Sequence, residues 1–443
     1  MNIKTYYFTI ILLLWGCMLF KWTSLAIVCM AWGFQLSHLL CTWKDTQRAK
    51  YSGTHERIKR KYYSNSGVSI LKPLNGTLST LEENLKSYFC LEYPLFELIF
   101  CVAEKNDPAL EIVNKLKKEF PDVSVVISMG TEECGMNPKL RNLATGYKQT
   151  KYDLIWIADA NIVASDAAIQ DMVDKCVDGA RLVHQIPWGV SGPSVKQSIG
   201  ALSLGSMLIR WYFATAHGRP YTVINNFCCS CVSGMSNMIS KPHLEKIGGL
   251  NVFAEHLAED SHMGTAFDKQ GYEVVMSKYT GLQNLGAFDI SNYIERRVRW
   301  ARLRMQTEMT SRATPFELVI DSHLFSWMCL ISLSCYHGQF TTKIAIVHPF
   351  AWFTVDALTF MLLDRAVGLP TKWQDNANNN YFFDWGRISD KPRGIYFFIV
   401  NMIQHYVLWI FREFIGVYIR FIALQNTDSI KWGGSDYKIN KKD

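Results

Sequence analysis

Long apolar runs stand at the two ends of this chain and short ones fill its middle. From Tyr6 to about Leu40 the sequence is almost uncharged apart from Lys21, and after residue 314 it turns apolar again at about 323–337, 344–363 and 395–424. A membrane-spanning helix needs about 20 predominantly apolar residues. The first run therefore reads as a signal anchor, being too long for an ordinary cleaved signal peptide, and the last two C-terminal runs read as spanning helices. The 323–337 run, and residues 195–216 with Arg210 inside them, read instead as interfacial helices that form a lipid gutter.

Between residues 68 and 280, short runs rich in Val, Ile and Phe alternate with amphipathic stretches, the habit of a mostly parallel sheet flanked by helices. Strands are predicted at Val68–Leu71, Leu98–Val102, Val123–Ile127, Leu154–Ala158, Leu182–His184 and Glu273–Ser277. Helices are predicted at Leu78–Phe89 and Pro108–Glu119, the second opened by an Asp107 cap and a first-turn proline. The fold class is α/β, with ligands expected beyond the carboxyl ends of the strands. The expected divisions are an anchor at 1–43, a basic linker at 44–66, the α/β domain at 67–314, membrane helices at 315–430 and a polar tail at 431–443.

Charge sets the orientation. Lys44, Arg48, Lys50, Arg57, Lys59, Arg60 and Lys61 follow the first apolar run against Asp45 and Glu56, while Lys4 alone precedes it. Positive-inside bias then faces the body of the chain to the cytosol. A content of 49% hydrophobic and 19% charged residues averages a water-facing centre with lipid-facing ends. The net charge of +7 is scattered beside the apolar runs rather than forming an aromatic-interleaved stripe, which argues against a nucleic-acid partner. The 12 cysteines follow no disulfide spacing, and Cys228, Cys229 and Cys231 lack the fourth ligand of a structural zinc site.

Candidate chemistry sits where strands end. Asp159 follows the apolar run Leu154–Ala158, a position that suits either a divalent-cation ligand beside a diphosphate or a helix cap. Glu104 holds the equivalent place after the Leu98–Val102 strand, as a nucleoside ligand or a solvated loop acid. Asn137-Pro138-Lys139 marks a turn with a cation suited to phosphate. Glu259-Asp260 opens a predicted helix, where an acid either caps or serves as a general base. The segment Arg296-Arg297-Val298-Arg299-Trp300, with Arg302 and Arg304 beyond, offers guanidinium forks for pyrophosphate or, alternatively, for anionic lipid.

An acid after each of two strands, then Glu259-Asp260, then Arg296-x-x-Arg299-Trp300, resembles the ordered signature of inverting GT-A glycosyltransferases of the ceramide glucosyltransferase family. Leu71-Lys72-Pro73-Leu74, Asn137-Pro138-Lys139, Tyr152–Ile157 and Cys231–Ser236 carry the same likeness, which runs from about residue 68 to 305 and more loosely to Trp432. The resemblance implies a cytosolic GT-A domain on a multi-pass Golgi or ER membrane protein, transferring glucose from UDP-glucose to the C1 hydroxyl of ceramide with inversion. It implies Asp260 as catalytic base, and Glu104, Asp159, Lys139 and Cys231 at the donor, with Mg2+ or Mn2+ on Asp159. It also implies Arg296, Arg299, Trp300 and His217 around phosphate and acceptor. Glu104 departs from the family's usual aspartate, and the inserted Gly218 shifts the match at His217. Membrane polysaccharide synthases, dolichyl-phosphate sugar transferases and a non-catalytic membrane scaffold remain as alternatives.

The expected orientation has a direct check in the glycosylation acceptor Asn75-Gly76-Thr77. A cytosolic domain never meets the lumenal transferase, so Asn75 should be unmodified. A glycosidase-sensitive mass shift that disappears in Asn75→Gln would reverse the orientation.

Overall fold

The computed structural model describes residues 21–59, 66–190, 203–227, 229–286, 288–305, 322–337, 339–365, 395–425, 429–432 and 435–438. The first 20 residues of the expected anchor, residues 195–202 of one expected interfacial run, and Cys228 lie outside these.

The first helix, α1 (Lys21–Lys59), continues past the anchor through much of the basic stretch expected as a linker. The domain that follows alternates β1 (Val68–Leu74), α2 (Leu81–Phe89), β2 (Phe96–Val102), α3 (Ala109–Glu119), β3 (Val125–Met129), α4 (Pro138–Tyr147) and β4 (Leu154–Ala158). A two-residue β5 (Ile162–Val163), α5 (Asp166–Val177), β6 (Leu182–His184) and β7 (Pro187–Val190) come next. Helices α6 (Leu204–Tyr212) and α7 (Gly218–Phe227) then flank a single π-helical turn, Phe213–His217. The domain closes with β8 (Ser236–Ser240), α8 (Glu259–Lys269), β9 (Val274–Met276), β10 (Gly281–Asn284) and α9 (Ile290–Arg304). Three further helices follow, α10 (His323–His337), α11 (Gln339–Arg365) and α12 (Ile395–Gln425), before the hairpin of β11 (Ser429–Trp432) and β12 (Ser435–Lys438).

Seven strands form the main sheet in the order β3-β2-β1-β4-β8-β6-β9. All its pairings are parallel except those of β8, which runs antiparallel between β4 and β6. Period-2 alternation divides the apolar strand residues between two layers. Val68, Ile70, Leu98, Phe100, Val102 and Trp156 enter one core, while Leu71, Ile99, Cys101, Ile155 and Ile157 enter the other. Both faces are therefore covered, as a parallel sheet requires. The N-cap of α3 is Pro108 rather than Asp107, and Asp107, one residue earlier, accepts a hydrogen bond from the Ala109 amide at 2.8 Å. The predicted six strands and two helices are all present, with ends shifted by a few residues; β8 and the small sheet β5-β10-β7 add to them.

A third apolar cluster joins the domain to the terminal helices through Trp188, Trp211, Trp352, Phe360 and Trp409. The expectation that 195–216 lies against lipid is corrected here for its described part. Leu208, Ile209, Trp211, Tyr212, Phe213 and Ala214 are fully buried within the two cores. Its apolar composition serves protein packing on two sides, which a hydropathy pattern does not separate from lipid contact. Two described helical segments, Trp22–Asp45 and Thr342–Asp364, are long and apolar enough to cross a membrane. They are cross-linked by Trp32 Nε1 to His348 Nδ1 at 3.1 Å and by Gln35 Nε2 to Asp356 Oδ1 at 2.8 Å.

Asp356 is the polar centre of this assembly. Its Oδ1 also accepts from Arg219 at 2.9 Å, its Oδ2 accepts from Trp409 Nε1 at 2.8 Å, and Arg412 approaches to 3.6 Å. Both Asp356 and Arg219 are wholly shielded from solvent. Removing one partner of such a pair leaves a buried charge uncompensated, so Asp356→Ala should destabilise the protein by about 3–5 kcal/mol. Denaturation of the purified full chain in detergent reads this directly, and an unchanged midpoint would show that the hub does not hold the helices to the domain.

Candidate active site

Strand order reverses between β1, which leads outward through β2 to β3, and β4 on its other side. Open α/β sheets bind ligands at such a switch point, beyond the strand ends. A cavity of about 700 Å³ lies there, lined by Leu78–Thr80 after β1 and by Asp159–Asn161 after β4.

Asp159 is the first residue past β4, and its turn is fixed from three sides. Its amide donates to the Met235 carbonyl at 3.0 Å, its carbonyl accepts from Ile162 N at 3.0 Å, and the buried Lys72 Nζ donates to the same carbonyl at 2.6 Å. The carboxylate accepts Lys139 Nζ at 2.9 Å. Lys139 also meets Glu259 Oε1 at 3.1 Å and the Gly234 carbonyl at 2.7 Å. Burial alone would lower the Lys139 ammonium, but Asp159 and Glu259 outweigh it and hold it above the ordinary lysine range. The segment predicted as a turn is thus a helix start. Asn137 accepts from the Lys139 and Leu140 amides as the N-cap of α4. Its side-chain amide reaches Glu259 Oε2 at 3.0 Å.

Glu259 and Asp260 occupy the first turn of α8, whose N-cap is Ala258 with no side-chain cap bond. Neither acid is the N-cap residue. Glu259 serves the Lys139 cluster, while Asp260 lines the cavity and accepts the Ser261 amide at 2.9 Å. Burial and the neighbouring Glu259 charge raise the Asp260 carboxyl to about 7, against the opposing effect of Lys139. The approach of this carboxylate depends on Gly234, where a Cβ would stand 2.9 Å from Asp260 Oδ2.

Helix α9 begins at the Asp289 N-cap, which accepts the Asn292 amide at 2.8 Å. Helical periodicity then sorts its arginines. Arg296, Arg299 and Trp300 line the cavity, while Arg297 is buried against the domain, its guanidinium 3.4 Å from the Tyr212 ring centre. The Arg296 guanidinium stands 4.6 Å from the Trp300 ring centre, and the His217 ring stacks on Trp300 at 5.1 Å with 12° between planes. Burial and Arg304, Arg297 and Arg296 push His217 well below the ordinary histidine range, so its imidazole is neutral at pH 7. His217 ends the π turn, the form in which a helix absorbs one extra residue and one frequent at functional sites. The following Gly218 permits it, since a Cβ there would meet the Phe213 carbonyl at 2.6 Å.

Of the residues singled out from sequence, Lys139, Asp159, His217, Cys231, Asp260, Arg296, Arg299 and Trp300 all line this one cavity. Glu104 does not; it is exposed at the end of β2, one strand farther from the switch point. Sequence inspection passed over Glu259, Lys72 and Gly234 as site residues. Only the spacing of Glu259 beside Asp260 signalled its place; the roles of Lys72 and Gly234 arise from contacts 87 residues apart and across a close approach. Among the described residues no three His, Cys, Asp or Glu side chains gather as a preformed metal centre. Asp159 fits a different type, in which one carboxylate and the diphosphate of a bound nucleotide share a hard cation.

The sequence profile of glycosyl transferase family 21 matches residues 23–443. The chain is 29% identical over 390 residues to ceramide glucosyltransferase 3 of Caenorhabditis elegans, covering 86% of this chain and 76% of that one. It is 28% identical over 437 residues to ceramide glucosyltransferase of Komagataella phaffii, covering 84% and 82%. A solved mannosyltransferase of Pyrobaculum calidifontis, in complex with GDP-Man and Mn2+, is 17% identical with a TM-score of 0.41, covering 77% of this chain and 97% of that one. With its catalytic sheet and apolar helices covered by one profile, the chain belongs to glycosyl transferase family 21.

Proposed function

We propose that this glycosyltransferase moves glucose from UDP-glucose to the C1 hydroxyl of ceramide with inversion, giving a β-glucoside. The observation that carries the mechanism is Asp260, a carboxylate raised to about 7 and facing the same cavity as Asp159, Arg296 and Arg299. The names of the relatives from Caenorhabditis elegans and Komagataella phaffii support ceramide and glucose as the substrates.

The chemistry follows as a single displacement. A neutral alcohol is a poor nucleophile, so Asp260 accepts the hydroxyl proton as the oxygen attacks the anomeric carbon. The bond from that carbon to the UDP oxygen breaks on the opposite face, and the proton stays on the Asp260 carboxyl until solvent removes it. Negative charge grows on the departing diphosphate, and the Arg296 and Arg299 guanidinium groups on the cavity wall offset it. Asp159 would hold Mg2+ or Mn2+, which supplies further positive charge to the same oxygens when bound. Lys139 keeps the Asp159 carboxylate fixed from the protein side. UDP-glucose then lies along the switch point, with Cys231 and Lys139 on its wall. The Trp300–His217 stack faces the acceptor, and the neutral imidazole leaves the alcohol's proton to Asp260.

The apolar helices suit an acceptor that stays in the bilayer, since a sphingolipid resists extraction by about 0.8 kcal/mol for each buried methylene. A Golgi or ER membrane with the domain facing the cytosol fits the basic flank of α1. The polysaccharide-synthase, dolichyl-phosphate and scaffold alternatives are not favoured by the family or by the convergence of charged groups on one cavity. Incubating the purified protein with labelled UDP-glucose and short-chain ceramide should yield β-glucosylceramide. A product on dolichyl phosphate, a polymer, or no transfer at all would replace the proposal.

The base assignment has its own test. Below about pH 7 the Asp260 carboxyl is protonated and accepts nothing, so kcat/KM should fall as pH drops through about 7 and level off above it. In Asp260→Asn, transfer should fall by about 100-fold or more while UDP-glucose affinity is retained, because the amide is near-isosteric but not basic. A variant that turns over at the wild-type rate with the same acid limb would remove Asp260 from the mechanism.

A further inference from the structure

Between α9 and α12 lies a second and much smaller cavity of about 30 Å³. Its lining brings together Arg297 and Arg304 of α9 with Arg412 and Arg420 of α12, and the one carboxylate among the described lining residues is Glu413. The spacings explain the meeting. Residues seven apart on one helix and eight apart on the other each fall on a single helical face, so two arginine-bearing faces oppose one another. None of these four belongs to the Arg296-x-x-Arg299-Trp300 pattern.

The buried Arg297 and Arg412 guanidinium groups demand anionic compensation. Arg297 and Arg412 are 7% and 2% exposed, and the Nε of each is buried without a hydrogen-bond partner. Arg297 otherwise donates to Tyr293 Oη at 2.9 Å. The acid present is already shared: Glu413 pairs with Arg412, and its Oε2 accepts from Ser322 Oγ at 2.6 Å and from the His323 amide at 3.1 Å. Asp356 reaches Arg412 only at 3.6 Å. A water needs about 10–15 Å³ of such space, so the cavity admits a few atoms, the size of a phosphate group and not of a nucleotide.

We propose that this arginine cavity binds a phosphate group, presented by an anionic phospholipid headgroup or by free phosphate, and thereby fastens α9 to α12. Guanidinium forks match phosphate oxygens in charge and geometry. The setting suits a lipid source, because Phe414, Val417, Tyr418 and Phe421 beside the cavity are exposed apolar residues on α12. Arg304 borders both cavities, so an anion here bears on the helix whose other face carries Arg296, Arg299 and Trp300. The site requires neither the nucleotide nor the acceptor, and its test is independent of transferase activity.

The full chain would be placed in phosphatidylcholine nanodiscs with and without phosphatidic acid, and separately in phosphatidylcholine discs with inorganic phosphate. Hydrogen exchange, thermal midpoint and the lipids retained in native mass spectrometry would be read on each. Phosphatidic acid should raise the midpoint and slow exchange in 290–304 and 412–420. In Arg297→Gln/Arg420→Gln retention should weaken by about tenfold or more, as lost charge-assisted hydrogen bonds predict. Lys117→Gln, an exposed charge on α3, should retain the lipid as the unaltered chain does. The same protection from inorganic phosphate alone keeps the site and assigns it to the free anion. Protection by neither source in the unaltered protein overturns the proposal whether or not the variants fold, as does an equal loss in Lys117→Gln.

Discussion

The Lys139 ammonium is the contact on which the rest of the site depends. It joins the end of β4 through Asp159, the first turn of α8 through Glu259 and the loop before β8 through the Gly234 carbonyl. Lys139 and Glu259 cannot be separated cheaply, because each would then be a largely buried charge without its partner. The cluster therefore fixes the distance between the donor side of the cavity, at Asp159, and the helix turn that carries Asp260. Asn137 reinforces it from the same helix start by holding the other oxygen of Glu259.

This arrangement divides labour between adjacent acids. Glu259 is committed to Lys139 and Asn137 and has a structural task, whereas Asp260, one residue on, turns toward the cavity. The neighbouring negative charge that Lys139 gathers is also one reason, after burial, that the Asp260 carboxyl is raised toward neutrality. A base tuned in this way needs no additional residue. Its environment follows from the same cluster that positions it, and the absence of a side chain at Gly234 lets it approach.

The apolar helices are coupled to that site through packed rings and one buried ionic hub rather than through a loose tether. Arg219, next to the Gly218 that permits the π turn, pairs with Asp356 on α11, and residues of α7 farther along line the cavity wall. A displacement of the apolar helices would thus reach His217 and Tyr221 within a turn or two. Trp211 carries a parallel mechanical link, packing its ring 4.9 Å from Phe360 and 5.9 Å from Phe353.

Much of the sheet was legible in the sequence because buried parallel strands need continuous apolar runs, and Leu154–Ala158 and Leu182–His184 appear where those runs place them. Strand ends and helix faces likewise pointed to Asp159, Asp260, Arg296 and Arg299, and the family resemblance added His217 and Cys231 to the same cavity. What the sequence did not contain was contact. Ser236–Ser240, with Ser, Asn and Ser among its five residues, is too polar to announce an antiparallel strand, yet it fills the sheet because β4 and β6 offer it paired backbones on both sides. The apolar 204–214 segment was indistinguishable from an interfacial helix until two protein cores closed over it. Sequence determined which residues are apolar, charged or basic and in what period they recur. Tertiary structure alone decided that Glu104 stands outside the cavity, that Glu259 holds Lys139, and that the two arginine faces of α9 and α12 meet, because each is settled by groups far apart in the chain and close in space.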